Sequence, residues 1–264
     1  MFTNIGLVQH VKKALYEKWG YVRGTYGLVL TESILQAKIK QCGDDVTRYI
    51  DYIRSNYLKK PTRTADCVNL IKSYLWWDES KNNPVYSSKY DVNADGMFNM
   101  AKEKGTINSI PEIIGLCVWH KGHIGVYIGN GQVIESHGTK SGVIQTPLKG
   151  KGSSPWTHWL KCPFIDYTVD DKEIDDMSIK YGDKNDNVKL IQGYLNDLGF
   201  NCGIPDGIYG KATLTGVNLF KGKYKLEQDG NIDIFVLLAL IKEYQSKFNS
   251  LSIKLNNVKD IVNY

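Results

Sequence analysis

Two residues of this chain, Cys67 and His123, have types and positions that could support covalent catalysis. Cys67 stands in the segment Thr64-Ala-Asp-Cys-Val-Asn-Leu-Ile71, and a stripe of apolar residues at helical spacing begins beside it: Val68, Ile71, Leu75 and Trp76. Thr64 or Asp66 is the expected N-cap, so Cys67 is predicted to lie in the first turn of a helix. A thiol attacks a carbonyl carbon as thiolate, and a helix N-terminus beside an imidazolium lowers the thiol pKa. We therefore expect an activated nucleophile at Cys67.

His123 is the expected general base for this thiol. It opens a predicted strand in Gly-His-Ile-Gly-Val-Tyr-Ile-Gly-Asn-Gly, residues 122–131. Glu135 follows the turn at residues 129–131, where it can lie opposite or diagonal to His123 on the same face of a hairpin. A polar group at that position would orient the imidazole by binding its second nitrogen. His137 is the rival for this third position.

Each candidate has a structural alternative when it is taken alone. A single cysteine at a helix start is commonly a small core residue, and a single histidine on a strand is commonly structural. The backbone N–H groups at the helix start would be natural donors to an oxyanion. The spacing alone leaves both interpretations open.

The elements that must position these residues indicate an α+β domain. A helix is predicted over residues 8–19, helical structure over residues 28–58 with a break at Gly43, and a short helix near residues 97–104. Short strands are predicted at residues 116–120, 123–128 and 132–135, and Gly129-Asn130-Gly131 is a strong hairpin signal. Several strands after helices predict helices packed on an antiparallel sheet.

The rest of the chain predicts a second, smaller module. Residues 1–165 carry 21 basic and 13 acidic residues and all six tryptophans, whereas residues 166–264 carry 12 basic and 15 acidic residues. This change predicts a domain over residues 1–165, an acidic linker over 166–178 and a small all-α bundle over 179–245. The role of the tail, residues 246–264, stays unassigned.

Composition limits the function classes. The 264 residues contain no apolar stretch long enough to span a membrane, and their basic residues are dispersed, so neither membrane insertion nor nucleic-acid binding is expected. The N-terminus has no unbroken apolar segment of the kind a signal peptide contains, which predicts synthesis in the cytoplasm without a leader. Five widely spaced cysteines indicate no disulfide framework. Oligomeric state is left open.

Two metal-like patterns do not predict a metal site. Asp91-x-Asn93-x-Asp95-Gly96 matches the first half of a calcium loop, but its twelfth position is Lys102 instead of glutamate. Three further residues, Cys117, His120 and His123, recur at three-residue spacing, which sends strand side chains to opposite faces. We therefore expect no metal and no cofactor.

The segment around Cys67 and the hairpin that carries His123 resemble the NlpC-type, papain-like cell-wall peptidases. Those enzymes have an Asp-Cys pair at the helix start and a His-[IV]-Gly-[IV]-Tyr-[IL]-Gly-Asn-Gly hairpin, and their Tyr-Val-x-Gly element matches Tyr21-Val-Arg-Gly24. The resemblance implies a papain-like fold with Cys67, His123 and Glu135 as catalytic residues. It also implies that Tyr21 and Asp66 shape the oxyanion and substrate site. The chain departs from the family at Val68 and Asn69, where Ser-Gly is common.

The C-terminal module resembles the three-helix peptidoglycan-binding domains. The residues that match this family are Gly182-Asp, Val188, Ile191-Gln, Leu195, the loop Asp206-Gly-Ile-Tyr-Gly210 with Thr213, and a second Asp-Gly at residues 229–230. The resemblance implies wall binding through Asp206, Gly207, Tyr209 and Thr213. The usual Phe-Gln of the second helix is Phe220-Lys221 in this chain.

Together the two resemblances imply a modular hydrolase that cuts an amide bond of the peptidoglycan stem peptide at the bacterial cell wall. Such a pair of modules looks like a phage or prophage endolysin, which reaches the wall after release from the cytoplasm. Two alternatives remain open. One is a cut of the N-acetylmuramoyl-L-alanine amidase type at the same site, and the other is a catalytically inactive wall-binding protein.

Overall fold

A computed structural model of the chain describes residues 2–168, 178–224, 226 and 228–233, and also 236–247 except 238, 242 and 246. The chain divides into two compact units, Met1–Asp171 and Lys172–Tyr264. Most of the predicted linker and of the predicted tail lies outside the described residues. Asp166 and Tyr167 belong to the first unit, because main-chain bonds join Asp166 to residues 2 and 4 and the Tyr167 hydroxyl donates to the Gly115 carbonyl. The first unit thus continues beyond residue 165.

The first unit contains six α-helices among its described residues: α1 (Asn4–Tyr16), α2 (Glu32–Cys42), α3 (Asp44–Thr47), α4 (Ile50–Ile53), α5 (Cys67–Leu75) and α6 (Ala94–Met100). A π-helical turn, Arg54–Leu58, follows α4, and 3-10 turns lie at Ser88–Tyr90 and Ile107–Ser109. Helices α1, α5 and α6 pack against the principal sheet, whereas α2, α3 and α4 pack in a separate core cluster.

The principal sheet has six strands, each paired antiparallel with its neighbours, in the order β5-β10-β6-β7-β8-β9. Its strands are β5 (Lys104–Thr106), β6 (Cys117–His120), β7 (His123–Gly129), β8 (Gln132–Gly138), β9 (Gly142–Pro147) and β10 (His158–Leu160). Two small two-stranded sheets complete the unit: β1 (Tyr26–Val29) with β2 (Arg63–Ala65), and β3 (Trp77–Asp78) with β4 (Asn83–Pro84). The prediction of an α+β unit with an antiparallel sheet is confirmed.

The β7–β8 hairpin forms because its two-residue loop suits the twist of the strands. Asn130 and Gly131 have φ values of 51° and 66°, and asparagine and glycine are the residues that tolerate this left-handed backbone best. The loop fixes the register, in which Val126 pairs with Ile134. Continuing that register places Glu135 diagonal to His123 on one face of the sheet.

Helix α5 lies on the sheet through its apolar side. Leu70 and Ile71 are buried against Leu7 and Val11 of α1 and against Ile124 of β7, in the largest core cluster. Burying an aliphatic side chain of this size contributes about 1.5–3 kcal/mol to stability. The same core therefore fixes the first turn of α5 beside the start of β7.

The segment before this core differs from the sequence prediction. Residues 26–29 form strand β1, paired with β2, and the helices α2, α3 and α4 start only after it. The break at Gly43 is confirmed, with φ at 54° between α2 and α3. The short helix predicted near residues 97–104 starts at Ala94 and ends at Met100, because Asn93 caps it by accepting the Gly96 N–H.

The second unit contains two full helices in its described part, α7 (Asp186–Asp197) and α8 (Lys211–Lys223). The described residues between 236 and 247 are helical as well. Its core includes Val188, Ile191 and Leu195 from α7 and Val217 and Phe220 from α8. A helical second module, as predicted, is thus observed in the described residues. None of the helices in the described parts of either unit is both long and apolar enough to cross a membrane.

Candidate active site

Cys67 is the first residue of α5, and Asp66 is the N-cap that places it there. One carboxylate oxygen of Asp66 accepts the Asn69 N–H at 2.9 Å, and the other accepts the Gly24 N–H at 2.8 Å. An N-cap of this kind is worth about 1 kcal/mol to a helix. Of the two predicted caps, the structure thus identifies Asp66 and not Thr64. Both carboxylate oxygens of Asp66 thus accept main-chain N–H groups, which holds this side chain at the start of α5.

The thiol of Cys67 has a raised pKa in the free protein. Burial raises it to about 12, and the negative charge of Asp66 adds to this effect, while hydrogen bonding from the N–H groups of Val68 and Ile124 opposes it. The sequence prediction of a lowered pKa at the helix start is therefore wrong for this structure. The two N–H groups do act in the predicted direction, but desolvation of the charged form outweighs them.

His123 and Glu135 form a direct hydrogen bond. The distance from His123 Nε2 to Glu135 Oε2 is 2.7 Å, and the carboxylate side chain is fully buried. The other ring nitrogen, Nδ1, has no hydrogen-bond partner among the described residues. The bond thus leaves Nδ1 available to exchange a proton with another group.

Glu135 is stabilised as a carboxylate by two further donors. The Thr146 hydroxyl donates at 2.7 Å, and the Ser154 hydroxyl lies 2.8 and 2.9 Å from the two carboxylate oxygens. Burial would raise the pKa of Glu135, but the bonds from His123, Thr146 and Ser154 together lower it. An ionised partner at Nε2 stabilises the imidazolium form of His123.

His137, the rival third residue, occupies a different environment. Its side chain is exposed, and its ring centre lies 6.4 Å from that of His123. The face of the His123 ring stacks on Trp156 at 5.4 Å and 11°. Stacking and the Glu135 bond together fix the imidazole plane, which favours Glu135 for the orienting role.

The Cys67 thiol lies beside the turn that precedes His123. Its sulfur is 4.0 Å from the carbonyl oxygen of Gly122, and the N–H of Ile124 also affects its pKa. The thiol therefore faces the start of β7, the strand that presents the imidazole. The sequence analysis expected these two segments to meet because thiol catalysis needs a base beside the nucleophile.

Asp95 holds the Gly122 turn, and the sequence analysis missed it. One oxygen of Asp95 accepts the Gly122 N–H at 2.8 Å and the Trp119 indole N–H at 3.0 Å. Through these two hydrogen bonds, Asp95 connects the start of α6 to β6 and to the turn that precedes β7. In the sequence, Asp95 stands in the run Asn93-x-Asp95-Gly96, which belongs to the half calcium loop for which no metal site is predicted.

A cavity of about 640 Å³ opens over the thiol. Its lining includes Tyr21, Asp66, Cys67, Asp95 and Gly122. Burial and the nearby Cys67 and Asp66 raise the pKa of Tyr21, so its phenol stays protonated and able to donate a hydrogen bond. Tyr21 thus lines the same cavity as the thiol.

The residues predicted to bind the wall form a structural network in the second unit. The buried side-chain amide of Gln192 donates to Asp206 at 2.9 Å and to Thr213 at 2.9 Å, and its oxygen accepts the Gly207 N–H at 2.9 Å. Tyr209 and Thr213 are each 1% exposed. These two side chains therefore support the loop from inside the second unit. Ile204 and Ile208 are the exposed apolar side chains of that loop.

Among the described residues, no group of three histidine, cysteine, aspartate or glutamate side chains could hold a metal ion. The buried carboxylate of Glu135 is bonded to His123 and to two hydroxyls instead. Hydrogen-bond donors thus surround the acidic group of the site.

Comparison with known proteins identifies one family over part of the chain. Residues 184–240 match the family model described as "Putative peptidoglycan binding domain". No curated protein sequence matches the chain significantly. The part of the second unit over these residues is thus similar in sequence to that family.

Three solved structures are similar to parts of the chain. The SleB N-terminal domain is 28% identical over 25% of this chain and 92% of its own length, with a TM-score of 0.25. The P60 domain of an antigen from M. avium subspecies paratuberculosis is 16% identical over 62% and 98%, with a TM-score of 0.31. The peptidoglycan hydrolase RipB from Mycobacterium tuberculosis is 17% identical over 62% and 67%, with a TM-score of 0.32. Likenesses at these TM-scores carry no argument about activity.

Proposed function

We propose that the first unit is a papain-like hydrolase of the NlpC/P60 type that cleaves an amide bond of the peptidoglycan stem peptide. The observation that carries the proposal is the 2.7 Å bond from His123 to the buried Glu135, on the strand whose start faces the Cys67 thiol. A nucleophile, a base and a group that orients the base are the parts that thiol catalysis requires.

Attack begins from a neutral thiol. Because burial keeps the Cys67 proton on sulfur, the proton passes to Nδ1 of His123 as the sulfur adds to the substrate carbonyl. The imidazolium that forms carries its other proton on Nε2, which donates to the Glu135 carboxylate. Glu135 thus stabilises the charge that attack creates without taking the proton.

The tetrahedral intermediate needs donors for its oxyanion. The Cys67 N–H lies in the first turn of α5, where a helix leaves its amides without intrahelical acceptors, and the Tyr21 phenol lines the same cavity. Collapse of the intermediate breaks the C–N bond, and His123 returns its proton to the departing amine. Water then adds to the thioester with His123 as base, which releases the acid and restores the thiol.

The second unit supplies attachment to the substrate. Its match to a peptidoglycan-binding family supports binding to the cell wall. Binding at one point of an insoluble polymer raises the effective concentration of the other unit at its target bonds, up to the millimolar range for a short linker. An enzyme built in this way suits wall lysis, and a role as a phage or prophage endolysin is part of this proposal.

Clearing of purified Gram-positive cell walls tests the proposal. Wild-type protein should lower the turbidity, Cys67→Ala should not, and Cys42→Ala should act as wild type because Cys42 does not line the cavity. Mass spectrometry of the fragments identifies the bond, since a stem-peptide cut and a muramoyl–alanine cut leave different termini. Equal clearing by wild type and Cys67→Ala would refute the thiol mechanism. Sedimentation of both proteins with uncleared walls would favour an inactive wall-binding protein.

A further inference from the structure

An exposed tyrosine lines the same cavity as the Cys67 thiol. Tyr86 is 53% exposed, and its ring packs on Trp76 at 5.1 Å and near Tyr26 at 6.5 Å. Tyr26 and Trp76 also contact each other edge to face at 5.3 Å. We call Tyr26, Trp76 and Tyr86 the aromatic cluster. A half-exposed ring that rests on two others offers a rigid apolar surface.

An ion pair between the buried Lys72 and the exposed Asp91 fixes the orientation of Tyr86. The Tyr86 hydroxyl donates to one oxygen of Asp91 at 2.9 Å, and the ammonium of Lys72 donates to the other at 2.7 Å. The Lys72 side chain is only 5% exposed and lies 5.1 Å from the Trp76 ring centre. Burying the charge of a lysine is costly unless the charge is paired. Asp91 therefore holds the Lys72 ammonium in a defined position beside the Trp76 ring.

The polar groups of this pair keep hydrogen-bonding capacity. A carboxylate offers about four acceptor positions and an ammonium three donors, and the described contacts use one donor of Lys72 and two positions of Asp91. Asp91 is 43% exposed. Acceptors and donors therefore lie next to an apolar ring, which is the combination that a ring with hydroxyl groups on its rim requires.

The aromatic cluster and the thiol share one cavity. Tyr26, Lys72, Trp76, Tyr86 and Asp91 line the same space of about 640 Å³ that Cys67 lines. A ligand that reaches the thiol can thus extend onto the cluster without leaving the protein surface.

We propose that the aromatic cluster with Lys72 and Asp91 is a subsite for a pyranose ring, the amino sugar that carries the stem peptide. The inference rests on the proposed function for the identity of the polymer. The sugar ring lies on the face of Tyr86, and its hydroxyl or amide groups bond to Asp91 and Lys72. The hydrolase would then prefer sugar-bearing stem peptides to free peptides.

Ligand binding tests the subsite separately from catalysis. The probes are N-acetylmuramyl-L-alanyl-D-isoglutamine and the sugar-free L-alanyl-D-isoglutamine, titrated calorimetrically into the full chain carrying Cys67→Ala. We expect the sugar-bearing probe to bind about five- to tenfold more tightly, which corresponds to about one aromatic contact with its hydrogen bonds. Adding Tyr86→Ala should remove most of this difference. Tyr86→Phe, which keeps the ring and loses the bond to Asp91, should keep part of it.

Val85→Ala is the matched control, because Val85 is 45% exposed, adjacent in sequence and not part of the cavity lining. Any contribution of the second unit to binding is common to all variants. The subsite is refuted if the two probes bind equally, or if Tyr86→Ala leaves their difference unchanged. These outcomes hold whether or not the wild type clears walls, so failure of the subsite and failure of the proposed hydrolase are distinguishable.

Discussion

Nε2 of His123 lies 2.7 Å from Oε2 of Glu135, and this carboxylate is buried with two hydroxyl donors of its own. The bond commits one ring nitrogen to the interior, and Nδ1 has no hydrogen-bond partner among the described residues. The bond also fixes the orientation of a strand histidine, which the proposed mechanism uses as its base.

Glu135→Gln should reduce hydrolysis strongly without unfolding the protein. The amide can keep a bond to the Thr146 hydroxyl, but it carries no charge to stabilise the imidazolium, and a comparable change in a serine protease triad lowers kcat about 10⁴-fold. We expect a loss of at least about 100-fold in kcat with a smaller change in KM, measured on a soluble muropeptide.

His137→Ala is the matched control for that experiment. Its side chain is exposed, and its ring centre lies 6.4 Å from that of His123, so we expect activity within about twofold of wild type. A large loss in His137→Ala with little loss in Glu135→Gln would reverse the assignment of the third residue.

The raised pKa of Cys67 predicts slow alkylation of the free protein. A free thiol with a pKa of about 8.5 is partly ionised at pH 8, whereas a thiol with a pKa of about 12 is almost wholly protonated. We therefore expect iodoacetamide to modify Cys67 at least about 100-fold more slowly than free cysteine at pH 8, with a rate that still rises with pH above 9. Peptide mapping of the labelled protein measures this rate.

A fast alkylation rate that reaches a plateau below pH 7 would contradict this prediction. That profile would mean that Cys67 and His123 exist as a thiolate–imidazolium pair before substrate binds. Cys42→Ala in the same assay removes the label from the other half-buried thiol of the first unit.

Asp95 should influence turnover through the Gly122 turn. Asp95→Ala removes the acceptor for the Gly122 and Trp119 N–H groups, while Asp95→Asn keeps an acceptor oxygen. We expect kcat to fall about 10- to 100-fold in Asp95→Ala with KM nearly unchanged, and to recover to within a few-fold in Asp95→Asn. Equal losses in both variants would show that the charge of Asp95, and not its hydrogen bonds, matters.

Gln192→Ala should separate wall binding from catalysis. Its loss leaves the Gly207 N–H, Asp206 and Thr213 without their shared partner, which should destabilise the second unit by about 1–3 kcal/mol. We expect co-sedimentation with walls to decrease while cleavage of a soluble muropeptide stays within twofold. Leu190→Ala is a suitable control, because Leu190 on the same helix is 52% exposed.

Local sequence signals predicted much of the site. The helical stripe after Cys67, the Asn130-Gly131 turn and the two-residue alternation of β7 and β8 each depend on neighbours in sequence, and they place His123 and Glu135 on one face. The same signals were too short-ranged for β1, since pairing with β2 decides that residues 26–29 form a strand.

Only the tertiary structure could decide the remaining features, because they depend on burial and on contacts between distant segments. Thr146 and Ser154 reach Glu135 from β9 and the loop beyond it, and Asp95 reaches Gly122 from α6. Burial also reverses the expected direction of the Cys67 pKa, since the cost of a desolvated charge exceeds the stabilisation by helix-terminal N–H groups. Sequence thus identified which residues could react, and packing determined their protonation, their orientation and their partners.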